Sequence, residues 1–433
     1  MKDGLILGWE VADGEVTNRL SGISTRARCE HIVILGKTGS GKTSLIKSML
    51  EQDIRSRNGF LCIDLHGDLS PFIFDRIAQE ERRTREDLST RTVLIDPADP
   101  LRAAAFNVLS SKSPFGTVAV SEVVALLKQR WSLDYFGART EELLRNCLYL
   151  LVEQGRVLTD LIPLLVRLSF RAELVQKSVE KQVKAYFRER FDQWSEAMQA
   201  VAREPILNKV TAFTSDPAIR HLVGQSKSSF EPIEALDRGY WIILRLPKGQ
   251  LGDNAETLAA LVLTKFKNAI FGRRSKNLFT IYADELQSLV SSASTFETLL
   301  SEARKFSVSI VTANQHLQQH SPAVRAALLS AGTQLFFRSS PEDAPHLAAT
   351  LNGGKAVEQH LKELPNRQFL ARVGEYSSLE IYAQAITPMK HDTKPLLQRI
   401  NQRWTRPREE IENEISGAVA TGETPGVELS GWK

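Results

Sequence analysis

The stretch Gly36-Lys37-Thr38-Gly39-Ser40-Gly41-Lys42-Thr43 decides the fold of this chain, because it has the spacing of a phosphate-binding P-loop. The apolar run His31 to Leu35 before it predicts a buried parallel strand, and Ser44 to Leu50 after it predicts the start of a helix. Three glycines permit the tight backbone in which successive N–H groups converge on phosphate oxygens at a helix N-terminus. In this context Lys42 reaches the outer phosphates and Thr43 offers its hydroxyl to Mg²⁺, so the loop predicts a bound nucleoside triphosphate.

Length and composition limit the functions that a chain with such a loop can have. The chain has 433 residues and a formal net charge of only +4, so it is long enough for about three domains and must meet any polyanion through a local basic surface. Cys29, Cys62 and Cys147 are isolated and lack metal-binding spacing, which favours reduced thiols and a cytoplasmic protein. No apolar run approaches the roughly 18 residues of a membrane span, and the N-terminus lacks a signal-peptide pattern.

The pattern of apolar runs predicts an α/β fold with a mostly parallel sheet. Between helical patterns such as Ala255 to Ile270, β-rich runs recur at Phe60 to Asp64, Thr92 to Ile95, Tyr240 to Leu246, Leu278 to Ala283, Val308 to Thr312 and Gln334 to Phe337. The β pattern vanishes over 117–235, where leucine-rich helical faces predict an inserted all-α domain. We therefore expect a discontinuous core at 1–116 and 236–390, followed at 391–433 by a helix and a tail that is disordered from Ser416 onward.

Two further patterns concern the insertion and the end of the core. Val183, Phe187, Phe191 and Trp194 repeat at near-helical spacing beside basic residues, which is typical either of a core stripe with a charged outer face or of an aromatic nucleic-acid surface. The runs 368–373 and 379–385 flank Gly374-Glu375-Tyr376-Ser377-Ser378 and predict a C-terminal β-hairpin.

A pair of carboxylates forms the second chemical motif. The run Leu278 to Ala283 delivers Asp284 and Glu285 to the carboxyl end of a strand, where ligands bind in open α/β sheets. Asp284 is placed to hold Mg²⁺ through water, and Glu285 to orient or deprotonate the attacking water. Adjacent acids at this point would also cap the next helix, so that simpler role stays open.

An amide and two arginines complete the predicted site. Gln315 follows the apolar strand pattern Val308 to Ala313 and is a candidate sensor of the γ-phosphate, with helix capping as the alternative role. Arg304 ends a predicted helix, where it either complements the helix dipole or projects into a neighbouring subunit as an arginine finger. Arg338, at the end of the run 334–337, is the competing finger.

These motifs together resemble one family. After the P-loop come Gly59 to Leu69, Ile95-Asp96-Pro97, Phe106-Asn107-Val108-Leu109, Asp284-Glu285-Leu286-Gln287, Ala303-Arg304-Lys305-Phe306 and Asn314-Gln315. Their order and spacing over roughly Gly4 to Ile411 resemble the HerA/FtsK superfamily of ring-forming P-loop translocases. Within it the chain is most similar to conjugative type IV coupling proteins of the TraD/TraG type, although it has none of the transmembrane helices with which those proteins usually begin.

The resemblance implies a RecA-like ATPase that moves DNA. It assigns Lys42 and Thr43 to phosphate and Mg²⁺, Asp284 and Glu285 to the Walker B position, and Gln315 to the sensor, and it favours Arg304 over Arg338 as the finger acting in trans. It further implies ATP bound between subunits of a homohexamer, DNA in a central channel, and an all-α domain that contacts DNA or partner proteins. The candidates for contact with the DNA backbone are Lys248 and the pair Arg273-Arg274. The alternative is that these residues are solvated charges in loops. The alternative function is an ATP-dependent assembly or switch module that binds a protein and never moves DNA.

Overall fold

The computed structural model describes residues 4–110, 116–132, 137–284, 289, 293–318, 320–374 and 378–421. The strands are β1 (Gly4–Ala12), β2 (Glu15–Ser24), β3 (Ile32–Leu35), β4 (Gly59–Asp64), β5 (Thr92–Ile95), β6 (Arg102–Ala104), β7 (Trp241–Arg245), β8 (Phe279–Asp284), β9 (Val308–Asn314), β10 (Thr333–Phe337), β11 (Gln368–Val373), β12 (Leu379–Ala383) and β13 (Thr405–Pro407).

Helices connect many of these strands, and a long run of helices separates β6 from β7. They are α1 (Thr25–Cys29), α2 (Lys42–Ser56), α3 (Ser70–Thr84), α4 (Gly116–Arg130), α5 (Gly137–Glu153), α6 (Leu161–Val166), α7 (Leu168–Lys177), α8 (Lys181–Ala185), α9 (Glu196–Thr214), α10 (Pro217–Val223), α11 (Pro232–Arg238), α12 (Lys248–Leu251), α13 (Asn254–Phe271), α14 (Ala293–Ala303), α15 (Pro322–Leu329), α16 (Ala344–Thr350), α17 (Lys355–Glu363), α18 (Lys394–Trp404) and α19 (Arg408–Thr421). Short 3₁₀ turns lie at Leu88–Thr90, Leu158–Asp160, Phe191–Gln193 and Arg304–Phe306, and a π-helical turn at Tyr186–Arg190.

A large mixed sheet organises the fold. Within the described ranges, eleven strands follow the order β2-β1-β12-β11-β10-β3-β9-β8-β4-β7-β5, and β6 pairs separately with β13. From β10 across β3, β9, β8 and β4 to β7, neighbouring strands are parallel. From β10 outward to β2 they are antiparallel. The central strands are buried along their whole length, as expected for a parallel sheet covered on both faces by helices.

The prediction of a mostly parallel sheet ending in a C-terminal hairpin is confirmed. β11 and β12 pair antiparallel from Gln368 with Tyr382 to Ala371 with Leu379, and residues 375–377 of their connection lie outside the described part of the chain. The N-terminal hairpin β1–β2, which pairs with β12, was not predicted. Its signal is present in the sequence, because Asp13-Gly14 between two extended runs is a typical hairpin turn and both residues have positive φ.

The chain folds into two compact units. The first comprises Met1–Val93, Ile233–Gly249 and Arg273–Ile400 and contains most of the large sheet. The second comprises Leu94–Pro232, Gln250–Gly272 and Asn401–Lys433. It therefore includes α13 and the C-terminal residues, which the sequence pattern places outside the all-α insertion.

The second unit is built mainly on helices, and its core follows the predicted leucine pattern in part. Leu143, Leu144 and Cys147 of α5 are fully buried, as are Leu161 and Leu164 of α6. Because α6 ends at Val166 and a new helix begins at Leu168, Leu168 does not continue that face and is exposed.

The aromatic stripe of the insertion belongs to the core. Val183, Phe187 and Phe191 are buried, and the rings of Phe187 and Phe191 lie 6.0 Å apart in an edge-to-face arrangement. The backbone changes there from α-helical to π-helical to 3₁₀, which keeps successive aromatic side chains facing inward. The structure thus supports the core interpretation of the stripe and not the nucleic-acid surface.

The C-terminal helix is longer than the sequence predicts. Helix α19 continues to Thr421, so the residues from Ser416 to Thr421 are helical where we expected a disordered tail, and residues 422–433 lie outside the described part. Within the described residues, the helices include none with the length and apolar character required to cross a membrane.

Candidate functional site

The carboxyl ends of three neighbouring parallel strands bring the predicted motifs to one edge of the sheet. β9 lies between β3 and β8, with Leu35 opposite Asn314 and Asp284 opposite Ala313. The P-loop therefore leaves β3, Gln315 follows the adjacent β9, and Asp284 ends the strand beyond it. Carboxyl ends of parallel strands are where open α/β sheets bind ligands.

The P-loop is held against the sheet by its own backbone. The Gly36 N–H donates to the Asn314 carbonyl at 3.2 Å, and the Lys37 N–H donates to the Arg338 carbonyl at 2.8 Å. A Cβ atom on Gly36 would lie 2.6 Å from the Cβ of Phe337, so only glycine allows this close approach. Gly41, the residue before α2, has φ +115°, a conformation that side chains other than hydrogen rarely adopt.

Arg367 packs against the outside of the P-loop. The sequence pattern did not predict this contact. Its N–H donates to the Ser40 carbonyl at 2.8 Å, and a Cβ on Gly41 would lie 3.0 Å from the α-carbon of Arg367. The Arg367 guanidinium donates to the Ala383 carbonyl and lies 4.9 Å from the centre of the Tyr382 ring. No local sequence signal marks Arg367, because its position beside the P-loop depends on the pairing of β11 with β10.

The loop has the donor set that a triphosphate requires. Lys42 is 9% exposed, and its Nζ donates to the carbonyls of Gly36 at 2.6 Å and Lys37 at 2.9 Å. This places the ammonium group across the inside of the loop. The Ser40 hydroxyl oxygen is buried without a hydrogen-bond partner in the described part of the chain. A cationic side chain and an orphaned hydroxyl in a glycine-rich loop before a helix N-terminus fit an anionic ligand.

Several carboxylates lie near Cys62 of β4. Burial raises the pKa of the Cys62 thiol well above its usual value, and the nearby carboxylates of Asp64, Asp68 and Asp284 act in the same direction. Asp64 is occupied structurally, since it accepts hydrogen bonds from the N–H groups of Gly67 and Ser70 and from the Ser70 hydroxyl. Asp284 is half-buried at the end of β8, in the place expected of a metal-binding carboxylate. Its predicted partner Glu285 lies outside the described residues.

Gln315 contacts the P-loop directly. The Thr38 hydroxyl donates to Gln315 Oε1 at 2.9 Å, so the amide reaches the position that the sequence pattern predicts. Among the described residues, no group of three or more His, Cys, Asp or Glu side chains is arranged to hold a metal ion by itself.

The two candidate finger arginines lie at opposite edges of the sheet. Arg338 follows β10 at the P-loop edge, where its guanidinium donates to Asn366 Oδ1 at 2.8 Å. Arg304 precedes β9 in an exposed 3₁₀ turn. The seven residues of β9 separate it from the P-loop edge by roughly 20 Å at strand spacing. An arginine side chain does not span that distance.

A buried polar network ties the P-loop helix to β8. Arg28 of α1 donates to both carboxylate oxygens of Asp53 on α2 at 2.7 and 2.8 Å and to the hydroxyl of Thr280 at 2.9 Å. The Tyr282 hydroxyl donates to Asp53 at 2.6 Å. Burial raises the pKa of Tyr282 far above its usual value, and the Asp53 carboxylate adds to this rise. The network fixes α2 relative to the strand that ends in Asp284, and each buried charge has a partner.

The basic residues proposed for DNA contact have different surroundings. Arg273 is buried, 6% exposed, and donates to the carbonyls of Phe306 and Ser307, so its prediction as a DNA-gripping residue is wrong. Arg274 is exposed, with its backbone N–H bound to Asp237. Lys248 is half-buried at the start of α12, just after β7.

Comparison with known proteins gives a family and a set of related structures. A family model described as the type IV secretion-system coupling protein DNA-binding domain matches residues 19–366. The VirB4 structure of Thermoanaerobacter pseudethanolicus matches with TM-score 0.61 and 15% identity, covering 89% of this chain and 97% of that chain. A comparison with curated proteins found no match.

Two structures of the conjugative coupling protein TrwB match as well. The unbound TrwBdeltaN70 form has TM-score 0.58 and 14% identity and covers 89% of this chain and 91% of that chain. TrwB in complex with ADP and Mg²⁺ has TM-score 0.59 and 14% identity and covers 90% of this chain and 97% of that chain. At such low identity these matches show the fold alone, and they confirm the RecA-like α/β architecture.

Proposed function

Because the chain belongs to the family of type IV secretion-system coupling protein DNA-binding domains, we propose that it is an ATPase that drives DNA through a ring-shaped assembly. Membership of this family confirms the resemblance to type IV coupling proteins seen in the motifs. The observation that carries the proposal is the convergence of the P-loop, Gln315 and Asp284 at one edge of the sheet. This edge combines anion-binding, metal-binding and water-orienting groups, which phosphoryl transfer requires.

The residues of this edge have distinct roles in the proposed hydrolysis. The backbone of Gly36 to Thr43 and the Lys42 ammonium hold the phosphates of ATP, and Lys42 exchanges its carbonyl contacts for phosphate oxygens. Thr43 and Asp284 would hold Mg²⁺, and the ion would supply positive charge to offset that of the phosphates. A TrwB structure that contains ADP and Mg²⁺ supports this choice of ligands.

We assign water activation to Glu285 and Gln315. Glu285, one residue beyond β8, takes the proton of the attacking water, and Gln315 orients that water while contacting the phosphate. The hydrogen bond from Thr38 to Gln315 already places the amide against the loop. The oxygens of a bound phosphate would compete with Gln315 Oε1 for the Thr38 hydroxyl.

The location of Arg304 favours action between subunits. Since it lies at the sheet edge opposite its own P-loop, roughly 20 Å away along β9, it does not reach its own ATP site, and we assign it to the site of a neighbouring copy. Arg338 lies at the P-loop edge of its own subunit, where its backbone carbonyl accepts from the Lys37 N–H, and we therefore assign it to that subunit's own site. We therefore propose a homohexameric ring with Arg304 completing each neighbour's ATP site.

DNA is the proposed cargo, and the cytoplasm the proposed location. Basic side chains such as the exposed Arg274 and the half-buried Lys248 would contact DNA phosphates in a central channel without reading the sequence. The net charge of +4 is too small for the whole surface to attract DNA. Cys29, Cys62 and Cys147 are free thiols, which agrees with a reducing compartment.

The proposal predicts that DNA stimulates ATP hydrolysis by the full chain. We expect turnover to rise at least about 10-fold with long DNA, and stimulation to fall steeply as salt increases from low to moderate concentration, because phosphate contacts release counterions. Steady-state phosphate release, measured against DNA length and salt, provides the test.

The control for this measurement is Glu285→Gln, which should bind ATP normally and show no turnover with or without DNA. Turnover that is unaffected by DNA length and by salt would instead support an assembly or switch module acting on a protein partner. Unchanged turnover in Glu285→Gln would show that another group activates the water.

A further inference from the structure

The turn that carries Arg304 is anchored by a buried arginine outside the motifs. The Arg273 guanidinium donates to the carbonyls of Phe306 at 2.8 Å and Ser307 at 3.2 Å, and to that of Asn277. It is 6% exposed, and burial lowers its pKa, with Asp237 opposing this effect. An arginine in such a site is retained for its several donors and not for contact with solvent or polyanions.

The same turn is strained at its end. Ser307 has φ +56°, a left-handed conformation that costs a residue other than glycine energy. Its carbonyl also accepts from the Phe279 N–H at 3.1 Å, and the Lys276 ammonium lies 5.9 Å from the Phe306 ring centre. Together with these contacts, the Arg273 hydrogen bonds hold a strained turn in a single position.

A buried histidine contacts the segments that precede and follow the turn. His31 Nε2 lies 2.5 Å from the Leu300 carbonyl in α14, and its Nδ1 accepts from the Ile310 N–H at 3.1 Å. Burial lowers the pKa of His31 to about 4, and the nearby Arg304 charge adds to this effect. The neutral ring, with hydrogen on Nε2, satisfies both contacts and fixes the segments before and after Arg304.

We propose that Arg273 is a positioning residue, which sets the Arg304 turn so that the Arg304 guanidinium reaches the ATP site of the neighbouring subunit. This inference rests on the proposed function, because it gives Arg273 a catalytic consequence only if Arg304 acts in trans. Displacing a catalytic group by about 1 Å costs on the order of 100-fold in rate. We expect loss of the two carbonyl contacts at Phe306 and Ser307 to let the turn shift by a distance of this order.

The test compares Arg273→Lys and Arg273→Ala with the wild type in both ATP binding and turnover. Lysine keeps the charge but presents one compact ammonium group instead of a fork, so it cannot hold all three carbonyls. We expect kcat to fall about 10-fold in Arg273→Lys and about 100-fold in Arg273→Ala. The Kd for ATP should stay within about 2-fold of wild type, because the subunit's own P-loop is untouched.

A mixed-subunit assay separates positioning from a general structural role. Subunits carrying Lys42→Ala have an intact Arg304 turn but a dead ATP site. Mixed with Arg273→Lys subunits, they should restore turnover at the ATP sites of the latter, because the neighbour now supplies a correctly placed Arg304. A defect confined to folding of the Arg273 variant itself would not be rescued by its neighbour.

Arg91 supplies a matched control. It is a half-buried arginine that also donates to backbone carbonyls, those of Arg57 and Gly239, but it lies next to β5 at the far end of the sheet. Arg91→Lys should lower the thermal midpoint to a similar extent as Arg273→Lys and leave kcat per folded subunit within about 2-fold, since β5 carries no predicted site residue.

The outcomes distinguish failure of this inference from failure of the proposed function. Suppose that Arg304→Ala is rescued in mixed assemblies. The positioning role of Arg273 is then wrong if Arg273→Lys keeps the wild-type kcat, and it is equally wrong if Arg273→Lys is impaired but is not rescued. If Arg304→Ala itself turns over at the wild-type rate, the proposed action in trans fails first. Rescue of both variants, with unchanged ATP binding, is the expected result.

Discussion

Replacing Lys42 with alanine should abolish ATP hydrolysis, with kcat/KM lower by at least about 10³-fold. The Lys42 ammonium is the buried cation of the P-loop and spans the loop between the carbonyls of Gly36 and Lys37. Without it, the negative charge that accumulates on the outer phosphates during transfer loses its nearest cation. The fold should persist, because the loop remains attached to the sheet through the backbone hydrogen bonds of Gly36 and Lys37.

The matched control is Lys47, which lies on the same helix. Its ammonium group is 4.0 Å from Asp68 and 5.9 Å from the centre of the Phe72 ring, and it plays no part in the proposed phosphate site. Phosphate release by Lys47→Ala should remain within about 2-fold of wild type. Appreciable hydrolysis by Lys42→Ala, measured with a coupled assay and checked by ATP binding, would mean that the P-loop is not the catalytic nucleotide site.

Replacing Arg304 with alanine should lower kcat by about 10³-fold with little change in ATP affinity, as expected for an arginine finger. The side chain is exposed in the 3₁₀ turn before β9, so its loss leaves no buried cavity and should not unfold the protein. Because the finger stabilises charge only during phosphoryl transfer, binding of ATP by the variant should be normal.

Mixing subunits shows which site Arg304 serves. Arg304→Ala subunits combined with Lys42→Ala subunits should regain activity, since one retains the site and the other retains the finger. Arg338→Ala subunits should not be rescued in the same mixture, because Arg338 adjoins the P-loop of its own subunit. The reverse pattern, rescue of Arg338→Ala and none of Arg304→Ala, would assign the trans role to Arg338.

Much of this site was predictable because its parts are local in sequence. The P-loop, the acid pair Asp284-Glu285 and the amide after β9 each follow an apolar run that predicts a buried strand, and parallel strands present their carboxyl ends at one edge. The structure adds the order of those strands, which places Gln315 between the P-loop and Asp284.

The groups that support the site were not predictable, because they depend on pairing across long sequence separations. Arg28 and Asp53 meet β8 through residues more than 200 positions away, and Arg367 reaches the P-loop only because β11 folds beside β10. An arginine pair in a loop predicts exposed side chains, yet Arg273 is buried. Its partners are backbone carbonyls, which carry no sequence signal.

Direct measurement of DNA movement is the strongest test of the proposed function. Streptavidin bound to the biotinylated end of single- or double-stranded DNA is displaced by an enzyme that moves along the strand. It is not displaced by a protein that only binds DNA. We expect the wild-type chain with ATP to release streptavidin from at least one of these DNA forms, and Glu285→Gln to release none. Retention of streptavidin on both DNA forms, by wild-type protein that is hydrolysing ATP, would contradict DNA translocation.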